Sequence, residues 1–296
     1  RKMAFLVRGE DASCWVRFGR RSSSVICRLT ALIIWSYTVT ETFRSVHAQD
    51  VDPAADIADV PAEDLRAGKD DDKRFFLIGP KDDKDAPEAG RGLIIMMPGG
   101  GGTVDFHPFV KRIYKNAVPP GYLVAQPVAI NWTSVQKVVW PTKDSPADKM
   151  KFSTEEFVEA IINDVVSQRR INRERIYTLS WSSSGPAAYS ISLTNKSVCG
   201  SFVAMSVFKP KFLPALEGSK GHAYYIHHSR QDRICPYAMA EQAAKELSKQ
   251  GANTLLNVYD GGHGWHGDLY GDIRQGIEWL EKNSQPRNKA DQSPVD

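Results

Sequence analysis

Three residues in this chain, Ser182, Asp232 and His263, could carry acyl-transfer chemistry between them. A serine hydroxyl attacks a carbonyl carbon when a neighbouring base takes its proton, and an imidazole serves as that base when a carboxylate orients it. Each of the three follows a short apolar run, Ser182 directly and the other two within three residues. Ser182 comes after "RIYTLSW", Asp232 after "AYYIHHS" and His263 after "NTLLNVYD". In an open α/β sheet ligands gather where the strands end, so residues at such positions can meet although far apart in sequence.

Which serine attacks is a steric question. The stretch "YTLSWSSSGP" (Tyr177 to Pro186) reads as strand, tight turn and helix start. A nucleophile elbow presents its hydroxyl from a strained turn, and the positions two before and two after must be small because backbone passes close by. The usual pattern is G-x-S-x-G, and no frame here matches it. Ser182 is flanked at those positions by Ser180 and Ser184, Ser183 by Trp181 and Gly185, and Ser184 by Ser182 and Pro186. Sterics favour Ser182. His266 is the fallback base, and Asp260 is a rival acid that sits on the base's own strand. A further feature, "MMPGGGGT", follows another apolar run. Its glycines, Gly99 to Gly102, can turn backbone N–H groups toward a developing oxyanion.

The elements that must position these groups alternate. Apolar runs suited to buried strands occur at 74–79, 93–98, 122–130, 175–181, 201–208, 223–229 and 253–260. Helix patterns fall at 107–117, 153–169, 183–195, 237–250 and 269–283. The clearest is 153–169, where Ser153 and Glu156 make a capping box and Phe157, Ala160, Ile161, Asp164 and Val165 share one face. This alternation predicts an α/β domain, with a mostly parallel central sheet and helices on both faces. Residues 74–283 form that domain. Residues 49–73 are acidic and rich in Ala and Pro and read as a linker or loosely packed arm, and 284–296 as a flexible tail.

The chain resembles α/β-hydrolases of the secreted phospholipase/carboxylesterase and dienelactone-hydrolase-like group, a superfamily that includes prolyl-oligopeptidase-type catalytic domains. The resemblance spans about residues 74–283 and is carried by "RIYTLSWSSSGPAAY", "HHSRQDRICPY", "YDGGHGW" and "MPGGGG". It implies the α/β-hydrolase fold, with Ser182 as nucleophile, Asp232 as acid and His263 as base. It also implies oxyanion donors at the N–H groups of Ser183 and Gly100, with Gly101 as alternative. Ser180 and Ser184 depart from the family's elbow glycines.

The implied activity is hydrolysis of small-molecule carboxylic esters through an acyl-enzyme, without metal or organic cofactor. Two other readings stay open: a peptidase or peptide-processing hydrolase, and a non-catalytic binding protein on the same scaffold, motivated by the two missing glycines. Trp132, Trp140 and Trp265 fall in expected loops on the side of the three catalytic candidates. Exposed there, they would suit an apolar or aromatic substrate group; otherwise they pack the loops.

Composition narrows the rest. Of 296 residues 42% are apolar and 25% charged, as in an ordinary globular protein. The net charge of +3 is concentrated in residues 1–48, which hold eight Lys/Arg and three Asp/Glu, against 30 and 32 in the remainder. The body therefore has no basic bias toward nucleic acid. The leader reads as an export signal: Arg17, Arg20, Arg21 and Arg28 precede the apolar stretch Leu29 to Val39, and "VHA" ends at a cleavage position, Ala48. Export to the periplasm or exterior is the expectation, and no run reaches the roughly 20 apolar residues of a membrane span. Neither H-E-x-x-H nor C-x-x-C spacing occurs, so no metal site is expected, and Cys199 and Cys235 are expected to remain unbridged. Oligomeric state is not legible.

Overall fold

The computed structural model describes residues 54–285, and the expected export signal and most of the C-terminal tail lie outside them. Eight strands form one sheet: β1 (Ala62–Arg66), β2 (Arg74–Ile78), β3 (Arg91–Met97), β4 (Tyr122–Pro127), β5 (Ile171–Trp181), β6 (Gly200–Ala204), β7 (Ala223–Ser229) and β8 (Asn253–Tyr259). Their spatial order is β1-β2-β4-β3-β5-β6-β7-β8. The pairs β1–β2 and β2–β4 are antiparallel and all others parallel. Five helices complete the fold: α1 (His107–Asn116), α2 (Thr154–Gln168), α3 (Gly185–Thr194), α4 (Tyr237–Lys249) and α5 (Leu269–Asn283).

The period-2 geometry of a strand explains the two cores. Leu93, Ile95 and Met97 of β3 face one layer, with α2, α3 and α4 packed over them, while Ile94 and Met96 face the other, under α1 and α5. Strands buried on both faces need continuous apolar runs, and every residue of β3 and β4 is indeed buried. The capping box of α2 forms as its sequence implies: Ser153 Oγ accepts from the Glu156 N–H at 3.3 Å, and the Glu156 carboxylate accepts from the Ser153 N–H at 2.8 Å. No helix among the described residues is long and apolar enough to cross a membrane.

Of the stretch 49–73, read as a linker or loosely packed arm, the described residues from 54 on supply the edge strand β1, in register Leu65 opposite Phe75, and bury Ile57 and Val60 against the α1–α5 layer. Its acidic residues obscured this, because they serve as surface anchors: Asp56 pairs with Arg112 at 2.7 Å and Asp64 with Arg74 at 2.9 Å. Charges on an edge strand also discourage pairing with another chain.

The adjacent histidines of β7 point to opposite faces. His227 is buried on the α5 side, stacked on Tyr259 at 4.4 Å and accepting a hydrogen bond at Nδ1 from Asn257 Nδ2 at 3.0 Å. Burial, with a smaller contribution from neighbouring His228, lowers its pKa from 6.5 to about 4. In the unfolded chain a histidine titrates near 6.5. Between these values the unfolded state binds more protons, so stability is lost as pH falls from about 6.5 to about 4. The full effect is on the order of 3 kcal/mol. Urea denaturation at pH 7 and pH 4.5 should show His227→Phe losing markedly less stability on acidification than the parent; equal losses would contradict this account.

Candidate active site

The parallel strands β3 to β8 direct their carboxyl ends to one edge of the sheet, and the candidate residues lie in the turns that follow β3, β5, β7 and β8. At the end of β5 the backbone is still extended at Trp181 (φ −145°, ψ 146°) and then enters the left-handed region at Ser182, φ +56°. A non-glycine residue there is uncommon and strained, and it persists only where surroundings hold it. Several contacts do so. Ser206 Oγ donates to the Ser182 carbonyl at 2.7 Å. Ser184 Oγ donates to the Met97 carbonyl at 2.7 Å and accepts from the Trp181 N–H at 3.1 Å. α3 then begins at Gly185, where a Cβ would lie 2.1 Å from Ser206 Oγ. The close approach in this elbow thus falls one residue later than the G-x-S-x-G pattern puts it. Ser180 and Ser184 are both fully buried, and Ser180 Oγ reaches the Phe202 carbonyl at 3.4 Å.

The structure brings the three expected side chains into one line. Ser182 Oγ lies 3.0 Å from His263 Nε2, and His263 Nδ1 lies 2.8 Å from Asp232 Oδ2. Beside a carboxylate the proton belongs on Nδ1, which leaves Nε2 to accept from the serine. The His263 side chain is 23% exposed and that of Asp232 is 0% exposed. Burial raises the Asp232 pKa, but the N–H groups of Cys235 and Ile234, each 2.8 Å from Oδ1, and the His263 hydrogen bond outweigh it, leaving the pKa below the usual value. His228 Nε2 sits 3.3 Å from Asp232 Oδ2 and donates to the Cys235 carbonyl at 2.8 Å; burial lowers its pKa and favours its neutral form.

His266 and Asp260 do not enter this line. His266 is exposed, with its ring packed over Gly261, and Asp260 is exposed. The glycine turn after β3 adopts left-handed geometry at Gly100 (φ +56°) and Gly102 (φ +62°). It is tied to the elbow by Ser183 Oγ, which donates to the Gly100 carbonyl at 2.8 Å. Among the described residues the N–H groups of Gly100 and Gly101 make no backbone hydrogen bond in this turn, and the Ser183 N–H lies in the first turn after β5.

The tryptophans divide. Trp140, for which the sequence left loop packing and substrate contact both open, is buried: its Nε1 donates to the Pro98 carbonyl at 3.0 Å and its ring packs against Gly102. It packs the glycine turn, because an indole is large enough to fill the space that glycines leave open. Trp265 is half-buried against Trp181, 5.9 Å between ring centroids, and has a buried, unpartnered Nε1. Trp132, also half-buried, stands edge-on to Phe152 at 5.0 Å and, with Ile130, Val139 and Trp140, lines an apolar cleft.

Sequence reasoning missed the groups that hold the base in place. The Tyr259 hydroxyl lies between the carbonyls of Gly262 (3.0 Å) and Gly264 (2.9 Å), which flank His263. Burial raises its pKa to about 12, so it stays protonated and can donate to either. From the acid's turn, Gln231 Oε1 accepts the Gly261 N–H at 2.7 Å and Ser229 Oγ accepts the Gly262 N–H at 3.1 Å. The available signal was positional: Ser229 and Tyr259 are the last residues of β7 and β8. Also unforeseen is Cys235. Its thiol, the Asp232 carboxylate and the His263 imidazole offer ligand atoms all within 4.8 Å of one another, a grouping that could hold a metal ion. Cys235 and Cys199 are unbridged, as expected.

No protein-family model and no curated protein matches the sequence. Solved structures match its fold. MGS-M1, an α/β-hydrolase enzyme from a Medee basin deep-sea metagenome, is 14% identical with a TM-score of 0.55, over 75% of this chain and 97% of its own. The Bacillus cereus carboxylesterase is 14% identical with a TM-score of 0.52, over 76% and 95%. Esterase 2 of Thermogutta terrifontis, in a structure phosphorylated by paraoxon, is 15% identical with a TM-score of 0.52, over 73% and 90%. The chain has the α/β-hydrolase fold, as its sequence resemblance implied.

Removing the Tyr259 hydroxyl should loosen the base's turn specifically. One hydrogen bond contributes about 1 kcal/mol, or roughly fivefold in a local opening equilibrium. Amide hydrogen exchange across residues 260–266 is expected to be about fivefold faster in Tyr259→Phe, with exchange in α2 unchanged. Identical exchange in the two proteins would show that the hydroxyl does not restrain the loop.

Proposed function

We propose that this protein is an exported serine hydrolase that cleaves carboxylic esters, with Ser182 as nucleophile, His263 as base and Asp232 as the orienting acid. The observation that carries the reading is the hydrogen-bonded line Ser182–His263–Asp232, starting from a strained left-handed serine. Ser182 Oγ attacks the ester carbonyl as its proton passes to His263 Nε2, and the ionised, buried Asp232 stabilises the imidazolium that forms. The N–H groups of Ser183 and of Gly100 or Gly101 receive the developing oxyanion; one such donor contributes on the order of 3 kcal/mol. The imidazolium then protonates the leaving alcohol. A water attacks the acyl-enzyme by the same route in reverse, and Ser182 is regenerated.

Esterases on this fold support the ester reading. Export rests on the basic and apolar leader before Ala48. The rival reading of a non-catalytic scaffold was motivated by Ser180 and Ser184. Both are buried with their hydroxyls hydrogen-bonded, which supports the catalytic reading over it.

Since paraoxon phosphorylates a protein of the same fold, an organophosphorus probe is the matching test. A fluorophosphonate should modify Ser182, as mapped by peptide mass spectrometry, and Ser182→Ala should lose both labelling and aryl-ester turnover while keeping its circular dichroism. Turnover that survives in Ser182→Ala would sink the assignment. A panel of aryl esters and aminoacyl amides would separate ester from peptide hydrolysis, with esters expected to turn over faster.

A further inference from the structure

We infer that Asp232, Cys235 and His263 together form a binding site for a thiophilic divalent cation of the zinc class, and that occupation of this site switches the serine off. The switching rests on the proposed roles of Ser182 and His263; the binding does not.

The donor set is one carboxylate oxygen, one thiol sulfur and one imidazole nitrogen, with all pairs of ligand atoms within 4.8 Å. Zinc is held by this mixture at bonds of about 2.0–2.3 Å, which puts ligand atoms of a tetrahedral site roughly 3.3–3.8 Å apart. The Asp232–His263 pair, 2.8 Å apart, therefore has to open by about 0.5 Å and exchange its hydrogen bond for the ion, and the wider pairs close by about 1 Å at most. Sulfur and imidazole together select zinc or cadmium over magnesium or calcium, which take oxygen ligands.

The surroundings suit the role. Asp232 and Cys235 are buried, each 6% exposed, so water competes weakly for the ion, while the partly exposed His263 leaves a way in from the mouth of the site. Asp232 Oδ1 is already fixed by the N–H groups of Ile234 and Cys235, which orients Oδ2 toward the shared space. Metal-bound carboxylates are held by outer hydrogen bonds of this kind. With three protein ligands, a fourth position remains for water.

The consequence for His263 follows from its two nitrogens. Nδ1 is the nitrogen that faces Asp232, and Nε2 the one that faces Ser182. A cation at Nδ1 takes its lone pair, so the ring's single proton must sit on Nε2, where it points at the serine oxygen. The ring can then donate to Ser182 but cannot take its proton. In the binding step the Cys235 thiol gives its proton to solvent and the His263 proton moves from Nδ1 to Nε2. One proton is released per ion, and nothing is oxidised or reduced.

The test uses the full chain and two ions. Cadmium added to the metal-free protein should give the ultraviolet charge-transfer band of a cadmium–thiolate bond, saturating at one equivalent. The band should vanish in Cys235→Ala and Cys235→Ser and persist in Cys199→Ala. By calorimetry, zinc should bind Cys235→Ala at least a hundredfold more weakly than the parent. Turnover of an aryl ester is then read as a ratio with and without zinc. The ratio should fall at least tenfold in the parent, recover with a chelator and stay near one in Cys235→Ala. A band that persists in both folded Cys235 variants, or no band in the parent, overturns the site. Binding with an unchanged turnover ratio overturns the switching. A parent without any turnover before metal is added counts against the proposed function instead, and the cadmium band still decides the site.

Discussion

The left-handed backbone of Ser182 is the constraint around which the site is arranged. A residue with a Cβ at φ +56° costs on the order of 1–3 kcal/mol, and it stays there because neighbours from three strands fix the turn. β5 lies in the middle of the sheet, paired in parallel with β3 and β6, and its end is registered as Met97 beside Ser180 and Ala204 beside Trp181. The hydroxyls of Ser184 and Ser206 then tie the turn to the Met97 carbonyl and to the Ser182 carbonyl. Continuous burial of these strands supplies the stability against which the strain is small. The elbow is thus a property of the sheet's centre more than of the four serines that form it.

The acid and the base depend on each other's turns as well as on their own strands. Gln231 and Ser229, beside the acid, accept the N–H groups of Gly261 and Gly262, beside the base. A displacement of the β7 turn therefore moves both members of the pair together and preserves the 2.8 Å contact between Asp232 and His263. Tyr259 adds a restraint from below. The glycines of this turn are needed at two points: Gly261 and Gly264 have φ of +133° and +141°, a region closed to residues with side chains.

Much of this was legible in the sequence, for a physical reason. Buried parallel strands require uninterrupted apolar runs, so β3, β4, β6 and β7 announce themselves, and a residue shortly after such a run is placed at the carboxyl edge of the sheet. The flanking residues favoured Ser182 over Ser183 and Ser184, and Asp260 was set aside for Asp232 because it sits on the strand that leads to His263. What the sequence hid depends on contacts between distant segments. β1 carries a single large apolar residue, Leu65, and so looked like part of a solvated arm. Trp140 reads the same whether it faces solvent or props a glycine turn. The small-residue rule was also misleading in detail: the position that tolerates no side chain is Gly185, because Ser206, from a segment twenty residues on, occupies the space.

The environment of Asp232 shows how a buried carboxylate can stay both ionised and useful. Its contacts are neutral donors, two backbone N–H groups and one imidazole, with a second, neutral histidine close by. Among the described residues no lysine or arginine pairs with it. A fixed guanidinium in that place would keep the carboxylate charged, but it would also cancel the field that Asp232 exerts on the His263 ring. Backbone N–H groups hold the charge through partial charges alone, so most of the negative potential remains for the imidazole to feel. The same uncompensated charge, with a thiol beside it, is what would draw a soft divalent cation into the space between Asp232, Cys235 and His263. The property that would suit the carboxylate to assist proton transfer, as proposed, is therefore also the one on which the proposed metal site rests.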